Sequence, residues 1–160
     1  MSWVADFRTE TTMMTETMLA YHGDPALKAA VLAEMADHRA ADRLIKGAYW
    51  DWTIGRGCAV GCLTHDPDGG HAEYPVRWGI PEELAWIEDE IFESLPLEDA
   101  LAWPERFLAA IEPGADLSGV RAVWVAAEED AVWPATGAAD LLIALIEAAP
   151  VAVLAEDGAR

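Results

Sequence analysis

Apolar positions recur at helical spacing over most of this chain. From Pro25 to Lys46, Leu27, Val31, His38, Ala41 and Ile45 fall on one stripe. Asp24 is placed to cap that helix, Pro25 suits its first turn and Gly47 stops it. A second helix is expected from Pro81 to Leu95, with Leu84, Ile87, Ile91 and Leu95 inward and Pro96 as terminator. A third, shorter one runs from Pro104 to Glu112, burying Phe107, Leu108 and Ile111, and closes at Pro113-Gly114. Ala138 to Ala149 is apolar almost all round and reads as a buried helix. Val120–Val125 and Val151–Leu154 suit strands as well as helix, which leaves a short strand–helix–strand tail open. Residues 1–20, rich in Thr and Met, follow neither period and read as a loose arm. The expectation is a mainly α protein, with one compact helical domain over residues 21–160.

With 160 residues and 53% apolar positions, one core without staples is feasible. Charge changes the picture more. Asp and Glu number 29 against 10 Lys and Arg, a formal charge of -19. Such a surface repels phosphate, so direct nucleic-acid binding and anionic membranes are disfavoured, and a basic protein partner is attracted. No apolar run approaches bilayer length, and charges at Asp6, Arg8 and Glu10 break any signal-peptide pattern. The two Cys, four residues apart, make a poor disulfide framework. A cytoplasmic location is expected, in the host cell if the protein is phage-encoded.

Two segments carry candidate chemistry. Cys58, Cys62 and His65 share one face if Gly57 opens a short helix, and His71 follows after the turn Asp66–Gly70. Four such ligands suffice for tetrahedral zinc, although the spacing departs from that of the two-Cys, two-His fingers. No other cofactor is indicated. Alternatively Cys58, at a helix N-terminus, is a nucleophile with its pKa lowered by the helix dipole, and His38, His65 or His71 is its base. His38 lies mid-stripe with Glu34 and Asp42 four residues to either side, a spacing that would orient a catalytic imidazole. Both features also have a structural explanation: a satisfied core histidine, and small core thiols beside Gly57 and Gly61 that let a helix pack closely.

Between Arg77 and Arg106 there is no basic residue. On the expected helix Glu82, Glu83, Asp89, Glu90 and Glu93 gather opposite the core stripe, with Trp86 among them. An indole ringed by carboxylates fits an Arg-rich partner through ion pairs and cation–π contact. It also fits a plain solvated face.

Tyr21–Pro25, His38–Asp42, Gly47–Trp50, Gly57-Cys58-Ala59-Val60-Gly61-Cys62, Gly79–Pro81, Leu84–Phe92 and Gly114–Ser118 together resemble a family of uncharacterised phage and prophage proteins, across about 60% of the chain. The resemblance implies a phage-related origin and no established activity. Val123–Asp130 resembles a late strand and acid loop of α/β-hydrolases, but no Gly-x-Ser-x-Gly elbow accompanies it. Two functions are therefore expected. One is a phage-type acidic protein that binds a basic host or defence protein, occupying a groove meant for nucleic acid. The other is a small Cys/His enzyme or zinc protein centred on Cys58, Cys62, His65 and His71.

Overall fold

The computed structural model describes residues 17–129 and 135–152. In chain order the helices are α1 (Pro25–Ala40), α2 (Ala59–Thr64), α3 (Glu73–Trp78), α4 (Glu82–Ser94), α5 (Leu97–Ala110), α6 (Val120–Glu129) and α7 (Ala135–Glu147). Among the described residues the only sheet is an antiparallel ribbon of β1 (Trp50–Asp51) and β2 (Arg56–Gly57), with Trp50 opposite Gly57. The protein is mainly α, as the periodicity predicts. No described helix is long and apolar enough to cross a membrane.

The chain enters through a tight turn at Ala20–Gly23, where Tyr21 and His22 take left-handed backbone angles. Hydrogen bonds to distant backbone hold this turn. The Tyr21 hydroxyl donates to the Leu108 carbonyl at 2.6 Å, and the Ala20 amide donates to Ala115. Ala20 is fully buried, so the expected loose arm ends before it; residues 1–16 lie outside the described part. Asp24 then accepts from the Ala26 amide, and Pro25 starts α1.

α1 ends at Ala40, well short of Gly47, because Asp42 turns left-handed at φ +56°. Residues 43–45 instead run beside β2. The Ile45 amide donates to the Gly57 carbonyl, the Gly57 amide donates to Arg43, and Leu44 goes into the core. Ala41, expected on the buried stripe, is exposed, and Met35 takes an inward place on it.

α4 and α5 form the centre. α5 packs on α1, α4 and α7, and α4 also contacts α2 and α3. α5 begins seven residues before the expected Pro104 start and carries that proline in its interior. Pro96 precedes its first turn, where Glu98 and Asp99 suit the positive end of the helix dipole. Phe107, Leu108 and Ile111 are buried as expected. Val120–Val125 is helix, not strand: Val120 and Trp124, one turn apart, both bury, and α6 packs against α7. Packing on that neighbour outweighs the β-propensity of three valines. The second expected strand amounts to one bridge between Ala115 and Val151; Val153 and Leu154 lie outside the described residues.

Candidate functional site

At the Gly57–Cys62 segment two stretches of backbone cross at close range. A Cβ at Gly57 or Gly61 would overlap the carbonyl oxygen of Tyr49. That oxygen and the Ala48 carbonyl both accept from the Cys58 amide. Cys58 sits at the start of α2, its sulfur accepting from the Gly61 amide at 3.4 Å. The Cys62 thiol donates to the Gly57 carbonyl at 3.5 Å. Both thiols are free and buried. Burial, with Asp89 adding to it, pushes the Cys58 thiol far above its ordinary range, and burial pushes Cys62 up to about 12. The lowered pKa expected of a helix-terminal nucleophile is therefore reversed. Removing a thiolate from water costs more than six residues of helix return.

The four candidate ligands of the Cys/His segment are not brought together. His65 ends α2 at φ +54° and turns toward α1, whereas His71 points to α4. Two separate polar clusters result.

In the first, Nε2 of His38 lies 3.7 Å from Oε1 of Glu34, one helical turn away. The His65 ring approaches the His38 ring edge-on, with centroids 5.6 Å apart. Trp50 stacks flat on His65 at 4.2 Å, and Trp52 meets both rings edge-on. Among the described residues, Glu34, His38 and His65 are the one group of three whose donor atoms all lie within 4.8 Å of one another. Burial holds the His38 imidazole below its usual pKa, against the upward pull of Glu34. Asp42, expected to flank His38 on the same helix, is exposed past the helix end and makes no ion pair with it.

In the second cluster, Nε2 of His71 is 3.2 Å from Oδ2 of Asp89. The indole of Trp86 lies flat on the His71 ring, 3.5 Å between centroids and 2° from parallel, and Tyr49 meets that ring edge-on. Beside them Tyr49, Asp89, Glu93, Gly47 and Ala48 line a cavity of about 270 Å³. Glu88, behind Asp89, is fully buried and accepts from the Tyr74 hydroxyl at 2.9 Å. Burial pushes its carboxyl up to about 8.

The acidic face of α4 is narrower than expected. Asp89, assigned to it by the helical wheel, is 8% exposed and faces His71. Glu83, Glu90 and Glu93 are exposed, Glu82 is half-buried and Trp86 keeps 49% of its surface open. Glu93 accepts from the Gly47 amide with both oxygens. Among the described residues none of Glu82, Glu83, Glu90 and Glu93 pairs with Lys or Arg.

The chain matches no protein-family model, no curated protein and no solved structure. The site must therefore be judged by its own chemistry. Two arrangements go beyond core packing: an indole platform among unpaired carboxylates, and a Glu–His–His donor set. Each of these residues is a candidate from its sequence context, but the fold groups the histidines differently. The Glu34–His38 spacing was the legible half of the donor set. No local signal ties His65 to it.

Proposed function

We propose that this is an acidic interaction protein that docks a basic partner on the exposed face of α4. The observation that carries the reading is the posture of Trp86. One face of the ring rests on His71, which Asp89 holds in place, and about half of the side chain stays open to solvent. A ring fixed in this way loses little freedom on binding and offers its π-face to a guanidinium or ammonium group. Among the described residues Glu82, Glu83 and Glu90, one turn from Trp86 on α4, pair with no Lys or Arg. Glu93, a turn further on, pairs with none while its oxygens accept from the Gly47 amide, so these carboxylates can meet cations of a partner. The charge of -19 steers a basic surface toward them. A basic groove built for nucleic acid is the kind of surface such a face fits. In a phage setting that groove belongs to a host or defence protein in the cytoplasm, and counter-defence is part of this proposal.

The test uses labelled octa-arginine as probe, followed by fluorescence anisotropy. Affinity should fall steeply with added salt. Trp86→Ala should weaken binding by roughly 2- to 30-fold, the range of a partly desolvated cation–π contact. Glu83→Gln with Glu90→Gln should weaken it more than Glu98→Gln with Asp99→Asn, which removes equal charge from exposed positions on α5. Salt-independent affinity, or equal loss in the two double variants, contradicts the reading.

A further inference from the structure

Three ring nitrogens in the Glu34–His38–His65 cluster call for an explanation. Nδ1 and Nε2 of His38 and Nε2 of His65 are buried and have no hydrogen-bond partner. His38 is 4% exposed. A buried polar atom left unbonded is costly, and native cores keep few of them. A core that merely tolerated histidine would bond its ring nitrogens to nearby backbone or side chains. Here two imidazoles meet edge-on instead, and a carboxylate closes on the same point.

We infer that Glu34, His38 and His65 form a mononuclear site for a divalent transition metal of the zinc class, with the remaining coordination position held by water. The donor chemistry fits: two neutral imidazoles and one carboxylate are ligands for zinc and its neighbours, and a three-residue set leaves one tetrahedral position open. Each ring gives one nitrogen, so the ion accounts for Nε2 of His38 and Nε2 of His65 but not for Nδ1 of His38. The spacing fits as well. The 3.7 Å between His38 Nε2 and Glu34 Oε1 is close to the ligand–ligand separation around an ion bonded at roughly 2 Å. Trp50, 7% exposed and stacked on His65, fixes that ring, and its own Nε1 is buried there without a hydrogen-bond partner. His65 also adopts a left-handed conformation uncommon outside glycine, asparagine, aspartate and histidine, and this conformation turns the ring out of α2 toward α1. The site is distinct from the Cys58–Cys62–His65–His71 set, since it uses neither thiol.

Isothermal titration of the full chain with zinc, in excess Mg²⁺ to occupy surface carboxylates, should give one metal per chain. Substitution by cobalt should give visible d–d bands without a thiolate-to-cobalt charge-transfer band. His65→Asn keeps a residue that tolerates the left-handed turn, and its loss of affinity should exceed the roughly 10- to 100-fold that removal of an outer partner costs. Glu34→Gln, on the half-buried edge of the site, should weaken binding while circular dichroism confirms an unchanged fold. Cys58→Ala should bind as the parent does. The inference is overturned by absence of stoichiometric binding, by a charge-transfer band from sulfur, or by binding that survives His65→Asn.

Discussion

At the scale of single residues, the Gly-Cys-Ala-Val-Gly-Cys run is explained by space. Gly57 and Gly61 are glycine because the Tyr49 carbonyl occupies the volume of a side chain at both positions. The thiols between them are small buried apolar groups whose sulfurs join nearby backbone. Gly61→Ala must push β1 away from α2. It should destabilise the fold by about 1–3 kcal/mol, the usual cost of overpacking, read from denaturant midpoints. Unchanged stability would show that the crossing can relax. His65 and Asp42, by contrast, take left-handed backbone angles with side chains in place, and the chain changes direction at each.

At the scale of elements, α4 shows why a helical wheel underestimates burial. The wheel reads Leu84, Ile87, Ile91 and Leu95 as one stripe, and all four are buried. Because α4 touches α2, α3, α5 and α7, Ala85, Glu88, Asp89 and Phe92 are buried too, more than half the circumference. Glu88 is the consequence. Its carboxyl, raised from 4.5 to about 8 by burial, stays protonated in the fold where the unfolded chain would ionise it. The folded state then binds more protons than the unfolded state between those two pH values. The stability Glu88 contributes is complete below about pH 4.5 and is lost as pH rises through about 8. Comparison of melting temperatures for the parent and Glu88→Gln over this window should show the parent falling relative to the variant, by at most about 1.4 kcal/mol per pH unit for one proton. Parallel curves would mean that Glu88 ionises normally.

At the scale of the whole molecule, 29 carboxylates against 10 bases make self-repulsion a property of the fold as well as of one helix. Raising salt from about 0.01 M to about 1 M shortens the Debye length from roughly 30 to 3 Å, and should raise the melting temperature. A flat response would show that charge repulsion does not limit the stability of the fold. α7, apolar almost all round in sequence, fully buries only Ala139, Leu142 and Ile146 among its described side chains, and α1 buries Met35 where Ala41 was expected. The sequence determined the helical class, the core stripe of α4, the buried end of α5 and the sign of the surface. Each of these depends on residues three or four apart, or on simple composition, so a local pattern carries it. Tertiary packing decided the rest. It made α6 a helix by giving Val120 and Trp124 a neighbour, drew Asp89 inward to His71, and paired His65 with His38 while leaving the thiols in the core. These outcomes depend on which distant segments meet once α1, α2 and α4 close around one another, and helical periodicity holds no record of that meeting.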